Sequence, residues 1–189
     1  MDTDFGMNLH LLELSDNEKS ILRCLQKGIA RIEVYKAGGY PDRVCLLSQG
    51  GTWLTLQVRC VDIGPRFEVF PISVSQNRPE SSGMHEIDAT GFNGPCVITI
   101  LRKSEWTTPC TEEEKRGLIG DASNATIQHE GSPEEAPEGS VTLDAGIDIK
   151  DASGGRLLVA TSMFPYALCV SGCDFSEIPP SEIYEFSLL

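Results

Sequence analysis

Residues 31–60 read RIEVYKAGGYPDRVCLLSQGGTWLTLQVRC. Short runs rich in β-branched and other apolar residues are separated there by two glycine-containing turn sequences, Ala37–Asp42 and Ser48–Gly51. In the last run, one face of the strand carries Leu54, Leu56, Val58 and Cys60, and the other carries Thr55, Gln57 and Arg59. The stretch therefore predicts consecutive strands joined by hairpins, with one face packed and the other solvated.

Strand patterns also dominate the rest of the chain. Short apolar or alternating runs occupy residues 67–74, 97–106, 141–150, 156–161 and 183–186. Because most connections are too short to hold a crossover helix, neighbouring strands should be antiparallel. We therefore expect a strand-dominated α+β fold, with mostly antiparallel sheets of about seven or eight strands and one N-terminal helix.

The N-terminal helix is predicted by its capping sequence. Ser15 stands three residues before Glu18, which is the spacing of a capping box. Apolar side chains follow at three- and four-residue steps, and Gly28 offers a stop after about three turns. A weaker helix of one or two turns is expected at Thr111–Arg116.

The length of 189 residues predicts one domain, residues 1–189. The chain begins without a secretory signal and contains no apolar run of about 18 residues, so we expect a cytoplasmic protein that spans no membrane. Two polar stretches, 75–83 and 121–139, are rich in residues that break strands and helices. We expect both to be mobile loops.

Charge is unevenly distributed along the chain. The net charge is −13, and residues 106–189 hold 15 acidic and four basic side chains, against 13 acidic and 11 basic in residues 1–105. An acidic surface disfavours phosphate backbones and anionic lipids, and it favours basic protein partners. We therefore expect no direct nucleic-acid or membrane binding. The alternative is that the acidity only keeps the protein soluble.

The cysteines show no disulfide or zinc pattern. Their odd count, seven, and the expected cytoplasmic location predict free thiols. Four of them lie in apolar runs typical of core positions, namely Cys45, Cys60, Cys96 and Cys169. Cys169 and Cys173 lack the two-residue spacing of zinc knuckles and redox motifs.

Catalytic motifs are equally hard to find. The histidines His10, His85 and His129 are far apart, and the glycine pairs lie in hairpin turns rather than before a helix. The sequence has no serine in a nucleophile-elbow motif. We therefore expect no cofactor, no metal and no enzymatic activity.

The remaining features favour protein binding. The candidate contact residues are an acidic stretch and a group of large apolar side chains beside a proline: Glu130, Glu134, Glu135, Glu138, Met163, Phe164 and Tyr166. The profile of a small, acidic, strand-rich chain without a catalytic constellation resembles that of bacterial immunity proteins, and many unrelated proteins share it. The resemblance implies an inhibitor that covers a basic toxin enzyme.

Two other functions stay open on the sequence alone. A small hydrolase or metal-dependent enzyme could be assembled from Asp144, Asp148, His85 and His129, although the chemistry of a hairpin accounts for the aspartates as well. Asp144 and Asp148 have the same parity along the predicted strand and would share a face. The third possibility is a structural subunit of a larger complex.

Overall fold

The computed structural model describes residues 10–62, 68–78, 84–87, 92, 94–107, 139–162, 166–172, 175–176 and 185–188. Helix α1 is Asp16–Leu22 and continues as a 3-10 helix, Arg23–Lys27. The strands are β1 His10–Leu12, β2 Ile29–Ala37, β3 Tyr40–Ser48, β4 Trp53–Val58, β5 Val61–Asp62, β6 Glu68–Val69, β7 Ile72–Ser75, β8 Met84–Ile87, β9 Cys96–Thr107, β10 Gly139–Asp151, β11 Arg156–Thr161, β12 Leu168–Gly172, β13 Phe175–Ser176 and β14 Glu185–Leu188. A strand-dominated α+β chain with mostly antiparallel sheets is thus confirmed.

The described strands form three sheets. Sheet 1 has the order β13-β12-β11-β10-β9-β14, with β1 paired to β10, and sheet 2 has the order β7-β4-β3-β2-β8. Strands β5 and β6 form a separate hairpin. The β1–β10 pair is parallel. The strands outnumber the predicted seven or eight because several have only two to five residues, too few for an alternating pattern to stand out in a sequence.

Sheets 1 and 2 contribute to a shared apolar core. Sheet 2 supplies Ile32, Val34, Val44, Leu46, Leu54, Leu56, Ile72 and Val74, and sheet 1 supplies Ile98, Ile100, Ile147, Ile149, Leu157, Val159, Leu168 and Val170. Leu22 and Leu25 of the helical segment and Phe92 join the same cluster. Burial of this apolar surface is the main force that holds the sheets and the helix together.

The capping box predicted for α1 is present. The Ser15 hydroxyl accepts from the Glu18 backbone N–H, and the Glu18 carboxylate accepts from the Ser15 N–H at 2.8 Å. The other Glu18 oxygen accepts from the Val74 N–H at 3.0 Å, so this side chain also caps part of edge strand β7. Gly28 ends the helical segment as predicted, although the last turns are 3-10 rather than α.

A bulge in β10 reverses the faces of its side chains. The register with β9 shifts between Asp144 and Gly146, so that Leu143 pairs with Lys103 whereas Ile147 pairs with Ile100. Because directly paired residues lie on the same face, Leu143 and Ile147 lie on opposite faces of sheet 1. The expectation that Asp144 and Asp148 share a face is wrong for the same reason.

The second face of sheet 2 is solvated only in part: Gln57 of β4 is exposed as predicted, but four other side chains on this face are not. Glu33, Tyr35, Cys45 and Thr55 alternate with the core residues of β2, β3 and β4, yet all are buried. The cysteine prediction needs a related correction. Cys45 and Cys96 are buried, but Cys60 and Cys169 are only partly so. Cys60 lies between β4 and β5, and Cys169 lies on the face of β12 opposite to its core residues Leu168 and Val170.

Several expectations concern parts of the chain where the structure describes little or nothing. Proline does separate two strands in residues 67–74, since β6 and β7 flank Phe70 and Pro71. The last predicted strand is found two residues later, as β14. The helix at Thr111–Arg116, and residues 79–83 and 121–138 of the two polar stretches, lie outside the described residues. No helix in the described residues has the length and hydropathy needed to cross a membrane.

Gly28 tests the packing between the helical segment and the rest of the core. Its φ is +116°, and a Cβ there would lie 2.7 Å from the Phe92 carbonyl oxygen. We expect Gly28→Ala to lower the free energy of unfolding by about 3 kcal/mol, from backbone strain and steric overlap together. The matched control is Gly39→Ala, at φ +91° in open space, which should cost only about 1 kcal/mol. Urea unfolding measures both, and equal losses would contradict the predicted clash.

Glu18 tests the link between α1 and sheet 2. Burial favours a higher pKa for its carboxyl, but hydrogen bonds from Val74 and Ser15 hold the pKa below its ordinary value. A lowered pKa stabilises the fold above the pKa of the unfolded chain, and that contribution is lost as pH falls through the folded pKa. We expect Glu18→Gln to cost about 1 kcal/mol at pH 7 and progressively less below about pH 4.

The control for this prediction is Asp16→Asn, which removes an exposed charge from the same helical turn. Unfolding free energies should be compared at pH 7 and at about pH 3. A deficit in Glu18→Gln that stays constant over this range would mean that ionisation of Glu18 contributes nothing to stability.

Candidate functional site

Of the residues predicted to contact a partner, Tyr166 is the one that the structure describes. Its side chain is 56 % exposed, and its backbone has a φ of +61°. The other candidates, Glu130, Glu134, Glu135, Glu138, Met163 and Phe164, lie outside the described residues. The described part of the predicted interface therefore consists of Tyr166 and the residues that contact it.

Tyr166 is held by contacts with the segment around the β5–β6 hairpin. Its ring meets the edge of Phe70, with ring centroids 5.4 Å apart at an interplanar angle of 74°. Its hydroxyl hydrogen bonds with the side chain of Cys60, which raises the pKa of the phenol, and the charges of Glu68 and Asp62 raise it further. We call Tyr166, Phe70, Cys60, Asp62 and Glu68 the Tyr166 surface.

The acidic part of the Tyr166 surface lies on the exposed side of the hairpin. Val61 pairs with Val69 and Asp62 pairs with Glu68. The two valines pack on Val141 and Leu143 of β10, and the two acids are exposed. Like charges in directly opposed positions repel each other, so this pair of carboxylates destabilises the isolated hairpin. A cation placed between them would relieve the repulsion.

A divalent metal ion is one cation that could bind between these acidic side chains. The Cys60 sulfur and carboxylate oxygens of Asp62 and Glu68 all lie within 4.8 Å of one another. Thiolate and carboxylate donors of this kind suit zinc. Exposed acidic groups also cluster without binding an ion, so this proximity alone does not assign a metal.

The candidates for an enzyme site are not brought together by the described residues. Asp144 and Asp148 lie on opposite faces of sheet 1 because of the bulge in β10. His85 lies in β8 of sheet 2, and His129 lies outside the described residues. His10, the third histidine, lies in β1.

Each of the two aspartates is instead neutralised by its own arginine. Asp144 is fully buried and accepts from the Leu14 backbone N–H at 2.8 Å and from Arg102 Nε at 2.9 Å. Asp148 accepts two hydrogen bonds from Arg156, at 2.9 and 3.2 Å. Lys150 adds a third cationic contact to Asp148, at 2.9 Å. These contacts give both aspartates a structural role.

A buried polar group on sheet 2 was missed by the sequence analysis. Glu33 is completely buried, and its carboxylate accepts two hydrogen bonds from Arg78, at 2.8 and 3.1 Å, and one from the Tyr35 hydroxyl at 3.0 Å. The Arg78 guanidinium lies over the ring of Trp53, with its Cζ 4.7 Å from the ring centroid. We call Glu33, Tyr35 and Trp53 the Glu33 pocket, which Arg78 fills.

The Glu33 pocket had a faint signal in the sequence. Glu33 lies between Ile32 and Val34 in a run that otherwise favours burial. Without a known ion-pair partner, an acidic residue between two apolar residues of a strand is predicted to face solvent. The partner of Glu33, Arg78, is 45 residues away in the sequence. Nothing local in the sequence pairs the two residues.

The thiol beside this pocket is unsuited to nucleophilic chemistry. Cys45 pairs with both Glu33 and Thr55, and its sulfur lies 3.3 Å from the Thr55 hydroxyl. Burial raises the pKa of this thiol, and the charge of Glu33 raises it further, although the Thr55 hydrogen bond works in the other direction. A thiol with a raised pKa stays protonated near neutral pH, whereas a nucleophile needs the thiolate.

Comparison with known proteins gives no relative from which a function could be transferred. No protein-family model matches the chain, and neither do the curated proteins or the solved structures. Function must therefore be inferred from the residues themselves.

The structural role of Asp144 leads to a direct prediction. Asp144→Asn should lower the free energy of unfolding by about 3 kcal/mol, because Arg102 loses its buried counter-charge and keeps only its ion pair with the partly exposed Glu13. Asp148→Asn is the matched control, since its partners Arg156 and Lys150 are more than half exposed and can turn to solvent, so a loss of about 1 kcal/mol is expected. Thermal and urea unfolding measure both losses, and an Asp144→Asn variant as stable as the parent chain would contradict this role.

Proposed function

We propose that this chain is an acidic binding protein that docks on a basic protein partner through the Tyr166 surface. The observation that carries the proposal is the placement of an exposed tyrosine beside two opposed carboxylates on one hairpin. Tyrosine is enriched at the energetic centres of protein interfaces because it combines a large apolar face with a polar tip. The two carboxylates supply a counter-charge for a lysine or arginine of the partner.

The backbone at Tyr166 supports a functional reading. A non-glycine residue at a φ of +61° costs about 1 kcal/mol relative to ordinary backbone. The contacts with Phe70 and Cys60 offset this cost and hold the ring outward. A ring that is already fixed loses little conformational entropy when a partner packs on it.

The charge of the chain supports the same partner. The excess of 15 acidic over four basic residues in positions 106–189 creates a field that attracts a basic protein from a distance. Glu130, Glu134, Glu135 and Glu138 belong to this region and act as steering charges in the proposal. Steering by complementary charge raises the association rate more than it changes dissociation.

In its most specific form, the proposal names the partner class. A toxin enzyme that binds nucleic acid or another anionic substrate carries a basic cleft, and an acidic protein that covers the cleft inhibits the enzyme. This immunity-type role would place the chain in the cytoplasm with its target. The charge distribution supports this role. The competing enzyme hypothesis needs Asp144 and Asp148 as catalytic groups, and both are instead paired with arginine or lysine.

The proposal is tested by capture with matched variants. Tagged parent chain, Tyr166→Ala and Tyr40→Ala are incubated with host lysate at low salt, and retained proteins are identified by mass spectrometry. Tyr40 is a suitable control because it is 52 % exposed but lies at the β2–β3 turn. We expect one stoichiometric basic protein with the parent chain and Tyr40→Ala, and a loss of affinity of about 2 kcal/mol, ~30-fold, in Tyr166→Ala. Recovery of no stoichiometric partner, or equal retention by all three, overturns the proposal.

The steering charges are tested separately, on the purified complex. Replacing Glu130, Glu134, Glu135 and Glu138 with glutamine should slow association about tenfold at low salt and weaken its salt dependence. Dissociation should be nearly unchanged. Stopped-flow traces at two salt concentrations give both rates. Equal association rates would remove these residues from the steering surface, and faster dissociation alone would make them direct contacts.

A further inference from the structure

We propose that the Glu33 pocket is a guanidinium-binding site, which Arg78 occupies in the isolated chain and which an arginine of the partner enters by displacing the Arg78 side chain. The identity of the incoming arginine rests on the proposed function. The pocket itself rests on the geometry of Glu33, Tyr35 and Trp53 alone.

The pocket is complementary to a guanidinium rather than to any cation. Arg78 donates from Nε to one oxygen of Glu33 at 3.1 Å and from Nη2 to the other at 2.8 Å. This two-point fork uses the planar donor geometry of arginine, which an ammonium group cannot reproduce. The same guanidinium lies over the indole of Trp53, 4.7 Å from the ring centroid, where it gains a cation–π contact.

The receptor side of the pocket is rigid. Glu33 is fully buried in β2, and Trp53 lies in β4, so both backbones are fixed in sheet 2. The Tyr35 hydroxyl donates to Glu33 at 3.0 Å, and Arg31 Nε lies 3.0 Å from the other carboxylate oxygen. These contacts keep the carboxylate oriented whether or not Arg78 is in place. A binding site that is ordered in advance loses less free energy on binding.

Arg78 is more exposed to solvent than the residues that surround its guanidinium, although it makes two hydrogen bonds to Glu33 and lies over Trp53. Arg78 follows the end of β7, and its side chain is 42 % exposed. Displacement needs a change of side-chain torsions rather than the opening of a sheet. Because one guanidinium replaces another, the exchange leaves the charge of the pocket unchanged, and Arg31 and Tyr35 remain on Glu33 throughout. Arg78 therefore acts as an internal competitor that lowers the affinity of the pocket for foreign arginine.

The test removes the internal competitor and supplies a guanidinium from solution. The probe is N-acetyl-arginine methylamide, and binding is followed by NMR titration of the Trp53 indole N–H and by thermal shift. We expect Arg78→Ala to bind the probe about tenfold more tightly than the parent chain. The matching lysine derivative should bind Arg78→Ala no better than it binds the parent chain. The double variant Arg78→Ala with Glu33→Gln should lose this tenfold gain in affinity for the arginine probe.

A control arginine lies on the same face of sheet 2. Arg43 lies over the ring of Tyr35, 5.4 Å from the centroid, but its ion pair is with the partly exposed Asp42. Arg43→Ala should therefore gain no affinity for the probe. If Arg78→Ala does not fold, Arg78→Gln removes the guanidinium while keeping a polar side chain of intermediate length, and the same comparison is made with it.

Two results would overturn the inference. One is equal binding of the probe by the parent chain, Arg78→Ala or Arg78→Gln, and the Glu33→Gln double variant, because the guanidinium would then bind elsewhere. The other is equal binding of the arginine and lysine derivatives.

The probe experiments contain no partner, so failure to capture a basic protein would overturn the proposed function without changing the result for the pocket. With a partner in hand, Arg78→Ala should bind it more tightly and Glu33→Gln more weakly, and no change in either would exclude entry of a partner arginine.

Discussion

The bulge between Asp144 and Gly146 is the constraint on which both apolar clusters depend. Strand β10 is the central strand of sheet 1, and the bulge lets its two halves present apolar side chains to opposite faces. Ile147 and Ile149 join the main core, whereas Val141 and Leu143 support the β5–β6 hairpin. Gly146 is required at this point, because a Cβ there would lie 2.7 Å from the Val159 carbonyl oxygen. Without the reversal, one half of β10 would expose its valine and leucine, and the hairpin that carries Asp62 and Glu68 would have no surface to pack on.

Arginine contacts explain how this acidic chain tolerates buried carboxylates in both β2 and β10. Asp144, Asp148 and Glu33 are almost completely removed from solvent, and each is contacted by at least one arginine. Burying an unpaired carboxylate costs several kcal/mol, so these arginines are needed for folding. Several of these basic side chains are partly exposed, but each has its charge offset by the buried carboxylate that it contacts.

Sequence reasoning succeeded where local chemistry decides the structure. The Ser15 and Glu18 capping box, the Gly28 stop and the hairpins around 37–42 and 48–51 depend on residues that are close in the sequence. It failed where distant residues decide. The face assignment of Asp148 depends on a bulge that no single residue announces, and the burial of Glu33 depends on Arg78. The short strand β5 was missed because two residues cannot show a period, whereas β6 lies within the predicted run 67–74. Tyr166 was selected from the sequence only as one of several large apolar residues near a proline. Its contact with Phe70 was not predicted.

The Tyr166 surface and the Glu33 pocket handle carboxylates in opposite ways. In the Glu33 pocket, the chain supplies a guanidinium of its own, and the carboxylate is fully satisfied before any partner arrives. On the Tyr166 surface, the chain sets Asp62 directly opposite Glu68 and leaves both exposed. A repulsive pair is tolerated at a solvent-facing position because water screens it, and the penalty disappears when a basic side chain binds between the two acids. That free energy is recovered only when a cation binds, so opposed exposed acids beside a fixed aromatic ring favour docking of a basic group more than the exposure of a tyrosine by itself does.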